Sequence, residues 1–569
     1  MSEPARRVQP GIFLLLRRLR LPLIALLCVY AVAILGFTLL PGIDPEGKAW
    51  KMSFFHAFYF VSFLGTTIGL GEIPYPFSDA QRMWAAFSIY ATVVAWLYGI
   101  GALLATLQDP LFRRIMHENR AGRAVRRLRD PFVLICGYGD AGTLIARELT
   151  EEGVSVVVID RDMERVESVE IDELVMEVPA LHADAVHPGS LLLAGISHPQ
   201  CLYTLALTED DAVNLTVALN AKLLAPEHEV ISEVHHHEHH AAMARIGVEH
   251  IINPHDTFAE RLALTMRIPS LHVIYEALTT QAGNAMAPPL IIPQGRWLVC
   301  GYGRFGRSVC RHLLKIGVEV TVIDDAPAAD AGAHVIRGNA MDAEVMRKAG
   351  IEKADGVVVA SANDTLCLAI ASLAHELNPG IFTVVRQNER RNTPMFRAFD
   401  ADVSTLAGYV VAAEVLRIIR APQLSYFLRL ARLEDEQWAH ALLERIRASC
   451  GKETVETWSL SIDVRNSPAL VGALRAGRRV TVGDLLRAPD NRDIAVNAVP
   501  LLLQHIEGKQ LLPESAQELR EGEHLLFCGR MIARGRLYRT VHDDQVLAYV
   551  LDGIETRRRV PWRSLQHRG

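Results

Sequence analysis

Hydrophobic residues are concentrated near the start of the chain in two long segments, Leu21 to Leu40 and Trp84 to Leu107. Each contains the roughly 20 apolar residues that a bilayer crossing requires, and neither contains a charged side chain. A shorter aromatic stretch, Ser53 to Leu64, lies between them. This pattern predicts two membrane-spanning helices with a short amphipathic helix between them.

Basic residues flank this hydrophobic region. Five arginines precede the first segment: Arg6, Arg7, Arg17, Arg18 and Arg20. Seven follow the second: Arg113, Arg114, Arg120, Arg123, Arg126, Arg127 and Arg129. Only Lys48, Lys51 and Arg82 lie between the segments. Because loops rich in Lys and Arg remain cytoplasmic, we expect a multi-pass protein of the cell inner (plasma) membrane with both termini in the cytoplasm.

A short run between the aromatic stretch and the second segment has a distinctive chemistry: Thr66, Thr67, Ile68, Gly69, Leu70, Gly71 and Glu72. Its glycines permit backbone angles that direct successive carbonyl groups toward one axis, and four such loops can replace the hydration shell of a cation. The run resembles the selectivity filter of potassium channels, usually Thr-Val-Gly-Tyr-Gly-Asp. The resemblance implies a pore helix, K⁺ in the filter and a homotetramer. Leu70 and Glu72 depart from the usual pattern, so a non-selective cation channel is the alternative.

The rest of the chain is less hydrophobic and repeats itself. Val133 to Gly142 returns as Trp297 to Gly306, 164 residues later, and Asp160 matches Asp324 at the same shift. A repeat of this length indicates two copies of a domain. The net charge of −6 argues against nucleic acid as a partner, and the eight cysteines contain no CxxC pair, as suits a reducing cytosol.

Each copy has the pattern of a nucleotide-binding α/β domain. A β-branched strand ends at the first glycine of a GxGxxG motif, the motif opens a helix, and a second strand ends in an acid 23 residues after that glycine. Glycines allow a pyrophosphate to approach the helix N-terminus, and the acid accepts ribose hydroxyls. The predicted nucleotide contacts are Gly137, Tyr138, Gly139, Asp140, Ala141, Gly142, Asp160 and Arg161, and then Gly301, Tyr302, Gly303, Arg304, Phe305, Gly306, Asp324 and Arg386.

The two copies behind a pore resemble the RCK (TrkA-N, or KTN) domains that regulate potassium conductance, in the arrangement of MthK-like channels. The implied fold is a membrane α-helical pore, followed by Rossmann-like α/β domains and a small α+β TrkA-C lobe. The expected layout is a cytoplasmic N-terminus (1–20), pore (21–107), basic linker (108–130), first RCK domain (131–255), helical crossover (256–295), second RCK domain (296–420), connecting helices (421–453), TrkA-C-like lobe (454–530) and an unassigned tail (531–569).

Differences between the copies indicate different ligands. Asp184, Glu209 and Asp210 of the first copy have no acidic counterparts in the second. Carboxylates suit Ca²⁺, and calcium-activated RCK members hold their ion at such positions, so we expect a Ca²⁺ site here. The alternative is that these acids cap helices.

Arginines replace acids in the second copy. Asp140 and Glu233 become Arg304 and Arg386. Because arginine binds phosphate oxygens in a bidentate manner, ADP or ATP is expected in the second copy. NAD is expected in the first, where Arg161 stands beside Asp160.

Two further features have open interpretations. His235 to His240 contains five histidines, which at i,i+4 spacing on a helix can chelate zinc or nickel, or form a solvated first helical turn. Gly99 and Gly101 are either gating hinges or close-packing residues. No dedicated substrate domain with a catalytic acid or base is evident, so we do not expect an enzyme. Two spans are too few for a transporter.

Overall fold

The computed structural model describes residues 10–69, 71–109, 120–280, 283–286, 288–326, 332–505 and 508–553. The chain divides into two compact units. The first consists of Met1–Asp130, Val157–Ser168 and Pro179–Gln200, and the second of Pro131–Val156, Val169–Val178 and Cys201–Gly569. Leu70, residues 110–119 of the basic linker, residues 1–9 and the end of the tail (554–569) lie outside the described residues.

The first unit begins with three helices: α1 (Pro10–Leu39), α2 (Phe54–Gly65) and α3 (Asp79–Gln108). Ser53 caps α2, and Ser78 forms a capping box with Gln81 at the start of α3, which satisfies amide groups that have no partner within the helix. A small antiparallel pair, β1 (Pro41–Ile43) and β2 (Ala49–Lys51), follows α1.

Two of these helices are long and apolar enough to cross a membrane, and the third is too short. Leu19–Leu39 has a mean hydropathy of 2.4 and Asp79–Gln108 of 1.7. Trp84 and Trp96 of α3 donate hydrogen bonds to the Ala33 carbonyl (3.0 Å) and the Tyr30 hydroxyl (3.1 Å) of α1. The expected arrangement of two spans and a short helix is therefore present.

The first repeat is built from six strands: β3 (Phe132–Cys136), β4 (Ser155–Asp160), β5 (Ala180–His182), β6 (Cys201–Ala206), β7 (Glu229–Glu233) and β8 (His250–Ile252). Their sheet order is β5-β4-β3-β6-β7-β8. Its helices are α4 (Asp140–Glu151), α5 (Met163–Ile171), α6 (Pro188–Leu193), α7 (Asp211–Leu224) and α8 (His237–Arg245). Two helices follow, α9 (Pro254–Arg267) and α10 (Pro269–Thr279).

The second repeat has the same strand order. Its strands are β9 (Arg296–Cys300), β10 (Glu319–Asp324), β11 (His334–Arg337), β12 (Gly356–Val359), β13 (Phe382–Gln387) and β14 (Val403–Leu406), all parallel to their neighbours in the order β11-β10-β9-β12-β13-β14. This is the doubly wound order of dinucleotide-binding folds. Its helices are α11 (Arg304–Lys315), α12 (Ala343–Lys348), α13 (Asp364–Leu377) and α14 (Thr393–Phe399), with 3₁₀ turns at Ile351–Lys353 and Arg390–Asn392.

Each repeat is followed by a helix that packs on the other repeat. Helix α9 follows the first repeat and lies against α11 of the second, where Arg311 is 3.5 Å from Asp256. Helix α15 (Ala407–Arg420) follows the second repeat and lies against α4 of the first, where Arg420 is 2.9 Å from Glu148. The two repeats thus exchange helices.

The C-terminal part forms a smaller lobe. Helices α16 (Pro422–Ala431) and α17 (Glu436–Cys450) lead into an antiparallel sheet of order β15-β18-β16-β17, with α18 (Pro468–Arg475) and α19 (Val482–Leu485) inserted after β15. The strands are β15 (Glu456–Ser461), β16 (Ala498–Gln504), β17 (Lys509–Leu511) and β18 (His524–Gly529). Part of the unassigned tail forms α20 (Met531–His542) and α21 (Asp544–Asp552), whose buried Leu537, Val541 and Leu547 join the core of this lobe.

Candidate functional site

The glycine-containing loop after α2 has an irregular backbone, and its C-terminal end is held by hydrogen bonds. Thr67, Gly69 and Gly71 have positive φ values of 59°, 67° and 90°, and the Ile68 amide donates to the Phe63 carbonyl at 3.1 Å. The Glu72 carboxylate accepts hydrogen bonds from the Phe77 amide (2.8 Å) and from Nε of Arg82 (2.9 Å). The end of the loop is therefore tied to the start of α3.

Gly99 and Gly101 lie within the continuous helix α3. A methyl group on either residue would meet no atom within 4 Å, so neither glycine is required for close packing inside this chain. Their role as gating hinges stays a prediction.

The second GxGxxG loop is shaped by its glycines. Gly301 has a φ of +102°, and a Cβ at Gly306 would lie 1.9 Å from the Gly301 carbonyl oxygen. By contrast, a Cβ at Gly303 would meet nothing within 4 Å, and Gly303 is the N-cap of α11 without a side-chain cap. Only Gly303 therefore leaves space beside the open helix N-terminus, where an anion is stabilised by free amides.

Asp324 at the end of β10 braces this loop. Its Oδ2 accepts the Tyr302 amide at 2.6 Å, and its Oδ1 accepts the Ala326 amide at 2.9 Å. A carboxylate has about four acceptor positions, so capacity for ribose hydroxyls remains after both bonds.

Three arginines surround the loop without carboxylate partners. The side chains of Arg304 and Arg386 make no hydrogen bond or ion pair among the described residues, and Nε of Arg307 is buried without a partner there. Burial, together with repulsion from Arg304, lowers the pKa of Arg386. The guanidinium of Arg386 lies 5.9 Å from the ring of Phe305. This concentration of unpaired positive charge favours an anionic ligand.

The first GxGxxG loop has the same backbone shape. Gly137 has a φ of +107°, and a Cβ at Gly142 would lie 2.3 Å from the Gly137 carbonyl oxygen. Gly139 is the N-cap of α4, and Asp140 and Ala141 follow in its first turn. The Tyr138 hydroxyl donates to Asp172 at 2.9 Å.

Asp160 and Arg161 lie at the end of β4, in the first unit. The Asp160 carboxylate accepts the Asp162 amide at 2.8 Å, and the Arg161 carbonyl is 3.0 Å from Nε2 of His182. The structure therefore places both residues at a strand end, as the spacing predicts, and their ribose and phosphate contacts stay predictions.

Glu233 of the first copy occupies the position that Arg386 occupies in the second, and its charge state differs from that of the arginine. Glu233 is buried, and burial together with the charges of Asp211 and Glu209 raises its pKa to about 8. Nε2 of His235 lies 3.3 Å from Glu233. At neutral pH this position therefore holds a largely protonated carboxyl group where the second copy has a guanidinium.

The residues predicted for Ca²⁺ lie in turns. Asp184 accepts the Val186 amide at 3.0 Å. Asp210 is the N-cap of α7 and accepts the Ala212 amide at 2.8 Å, and Glu209 precedes it. Helix capping therefore accounts for one oxygen of Asp210, whereas Asp184 only stabilises a local turn and is not the N-cap of α6, which is His187. Ca²⁺ binding stays a prediction.

Comparison with known proteins identifies both repeats. The model of the TrkA-N domain matches residues 133–254 and 297–405. The chain contains two TrkA-N domains. Together with the parallel sheets and the two apolar helices, this match indicates a membrane protein with tandem Rossmann-like domains.

Proteins similar to part of this chain include potassium transport proteins. Potassium channel protein 1 of Methanocaldococcus jannaschii is 27% identical over 139 residues, which is 23% of this chain and 42% of that protein. The voltage-gated potassium channel Kch of Escherichia coli is 24% identical over 139 residues, 33% of its length. The Trk system potassium uptake protein TrkA of Mycobacterium tuberculosis is 31% identical over 121 residues, 55% of its length. The chain thus matches only part of each relative.

Solved structures of the GsuK channel are also similar. One bound to NAD aligns with 94% of this chain and 99% of its own, at 15% identity and a TM-score of 0.47. One bound to ADP aligns with 72% of this chain and 99% of its own, at 18% identity and a TM-score of 0.42.

Sequence reasoning did not predict two of the contacts at these sites. Arg82 pairs with Glu72, although it is separated from the filter run by ten residues. Arg307 lies over the ring of Tyr302 at 5.2 Å. The sequence already places Arg307 near the predicted phosphate site, three residues after Arg304, and only its contact with the Tyr302 ring is not predicted.

Proposed function

We propose that this chain is the subunit of a homotetrameric potassium channel of the cell membrane, regulated by nucleotides. The observation that supports the pore is the Thr66–Glu72 run, with positive φ at Gly69 and Gly71, between a short helix and a membrane-length helix. Such loops can present carbonyl oxygens to a dehydrated cation when four chains meet. The relatives whose names identify them as potassium channels support the same choice of ion.

Ion flux through purified protein in planar bilayers tests the pore. With K⁺ on one side and Na⁺ on the other, a potassium channel reverses far from 0 mV, whereas the non-selective alternative reverses near 0 mV. Gly69→Ala should abolish current because residue 69 has a φ of +67°, which costs an L-residue about 1 kcal/mol or more. Ile68→Val, which keeps a β-branched side chain, is the matched control and should conduct. Normal current in assembled Gly69→Ala would rule out this pore.

We propose that the second TrkA-N domain binds ADP or ATP. Phosphates would lie at the N-terminus of α11, next to Gly303, with Arg304, Arg307 and Arg386 supplying positive charge. Asp324 would hold the ribose while it braces the loop. The three guanidinium groups that lack carboxylate partners among the described residues support this assignment.

Binding of ADP to the full chain in detergent tests the assignment. Arg386→Gln should weaken binding at least tenfold, since a charge-assisted hydrogen bond contributes about 1.5–3 kcal/mol. Arg391→Gln is the matched control, because Arg391 is exposed and already pairs with Glu389. Equal affinities of the two variants would contradict the phosphate contact.

We propose that the first TrkA-N domain prefers a ligand with less negative charge, such as NAD. Asp140 and Glu233 replace the two arginines, and Glu233 is largely protonated at neutral pH because its pKa is about 8. NAD carries less charge than ATP. For Ca²⁺, Asp184, Glu209 and Asp210 remain the proposed ligands. Asp184→Asn would keep an oxygen that can accept the Val186 amide, so loss of a Ca²⁺ effect in that variant would reflect lost coordination.

A further inference from the structure

A cluster of three metal-ligating side chains lies where β7 meets α8 in the first TrkA-N domain. Asp211, His236 and His239 each offer a ligand atom, and these atoms all lie within 4.8 Å of one another. The Asp211 carboxylate is 2.6 Å from Nδ1 of His236 and 3.6 Å from Nδ1 of His239. We propose that these residues form a binding site for a divalent transition metal ion such as Zn²⁺, Co²⁺ or Ni²⁺.

The turn that follows the fifth strand can be compared between the two TrkA-N domains. In the second domain the polar side chains of this turn are hydrogen-bonded to one another. Asp364 matches Asp211, and it accepts the backbone amides of Asn388 (2.6 Å) and Glu389 (3.1 Å). Asp211 accepts the matching amides of His235 (2.9 Å) and His236 (2.8 Å). In both copies, therefore, a buried carboxylate at the start of a helix holds the turn after the fifth strand.

The copies differ at the side chain that completes this turn. Asn392 donates its amide to Asp364 at 2.7 Å. The same position in the first copy is His239, whose Nδ1 is buried, without a hydrogen-bond partner among the described residues, at 3.6 Å from Asp211. A buried polar atom without a partner costs about 1–3 kcal/mol. A metal ion would remove this cost by bridging His239 and Asp211.

The geometry suits a transition metal better than Ca²⁺ or Mg²⁺. Two imidazoles and one carboxylate are the donor types that Zn²⁺ and its neighbours prefer, whereas Ca²⁺ takes oxygen ligands. Zinc–nitrogen bonds of about 2.0–2.1 Å place neighbouring tetrahedral ligands about 3.3 Å apart, close to the 3.6 Å separation of Asp211 and His239. His236 is exposed, so an ion can enter from solvent, displacing the proton that His236 shares with Asp211.

The site adjoins the contact between the two domains. His237, in the first turn of α8, is 3.1 Å from the Arg311 guanidinium of α11 and 3.8 Å from Asp256 of α9. An ion bound by the residues on either side of His237 would fix this turn against the second domain. A metal ion bound at this site would therefore affect how the two domains pack.

Cobalt binding to the full chain, purified in detergent without a polyhistidine tag, tests the proposal. Tetrahedral Co²⁺ has an intense visible absorption band, and Zn²⁺ should abolish the band by displacement. His239→Asn recreates the turn of the second copy, so it should fold normally and bind Co²⁺ at least tenfold more weakly. His240→Ala is the matched control, since His240 is exposed on the same helix, and it should bind like the parent chain.

Three results would overturn the proposal. The first is the absence of a tetrahedral Co²⁺ band in the parent chain. The second is an unchanged band and affinity in His239→Asn. The third is loss of the band in His240→Ala, which would assign the metal to the i,i+4 pair of His236 and His240 instead. Melting temperatures without metal show whether the variants fold, and a rise on adding Zn²⁺ that occurs in the parent chain but not in His239→Asn supports the site.

Discussion

Asp324 and Tyr302 are joined by a 2.6 Å hydrogen bond from the Tyr302 amide to the Asp324 carboxylate. The acid at the end of the second strand therefore shapes the glycine loop as well as facing the expected ribose. Asp324→Ala should weaken ADP binding at least tenfold and also lower the melting temperature, because the Tyr302 and Ala326 amides both lose an acceptor. Asp324→Asn keeps one acceptor oxygen and should recover part of the stability without recovering affinity. Calorimetry and thermal melting of both variants measure the two effects separately.

Two glycines of the same loop should respond differently to alanine. Gly306→Ala places a Cβ 1.9 Å from the Gly301 carbonyl oxygen, an overpacking that costs about 1–3 kcal/mol or more. Gly303→Ala meets no protein atom within 4 Å, so it should fold normally and impair only nucleotide binding. Thermal melting distinguishes them, and a normal melting temperature for Gly306→Ala would contradict this geometry.

Acid should destabilise the contact between the domains through His255. Burial, and then the positive charges of Arg386, His235 and Arg304, lowers the pKa of His255 to about 3. The unfolded chain binds this proton near pH 6.5 and the folded chain does not, so stability is lost as pH falls from about 6.5 toward 3. The linkage amounts to about 5 kcal/mol at most.

His255→Phe should reduce this acid lability while keeping a ring against Phe305, which lies 5.9 Å away. Melting temperatures from pH 7.5 to 4.5 provide the measurement. Other buried histidines, such as His250 and His272, also have lowered pKa values, so the slope should decrease rather than vanish. An identical slope in the variant and the parent chain would contradict the assignment.

A buried ion pair in α15 should be sensitive to loss of one partner. Glu414 and Arg417 are both largely buried, and Nε and Nη1 of Arg417 have no other hydrogen-bond partner among the described residues. Glu414→Ala should therefore destabilise the chain by about 3–5 kcal/mol, the usual result when one buried charge is left alone. Glu344→Ala breaks an exposed i,i+3 pair with Arg347 and should cost less than about 1 kcal/mol. Denaturant unfolding compares the two variants.

Local patterns predicted most of the fold. The short helix expected at Ser53 to Leu64 is observed at Phe54–Gly65, and the second strand of the second copy, expected to end in the acid Asp324, is observed at Glu319–Asp324. Hydrophobic periodicity and glycine positions determine such elements within a few residues of sequence. The sequence analysis assigns no structure to the tail (531–569), although Ala533, Leu537 and Val541 recur at i,i+4 spacing, which is the signal of an amphipathic helix.

Contacts between distant residues could not be predicted in this way. The role of Asp211 is not predicted by its local sequence, because its partners His235 and His236 lie 24 and 25 residues away. Likewise, the packing of Arg420 on Glu148 joins residues separated by 272 positions. Such pairs depend on how helices are arranged in space, which no local pattern specifies.

The exchanged helices α9 and α15 also favour the pairing of a first-type TrkA-N domain with a second-type domain. If two second-type domains exchanged helices, Arg420 would face α11, where the repeat places His312 and Ile316 in the positions of Glu148 and Glu152. Both acids that Arg420 contacts in this chain would then be lost. The mixed pair of one first-type and one second-type domain therefore keeps ion pairs that a pair of identical second-type domains would lack. The sequence differences between the repeats thus make this helix contact specific for the other repeat of the chain.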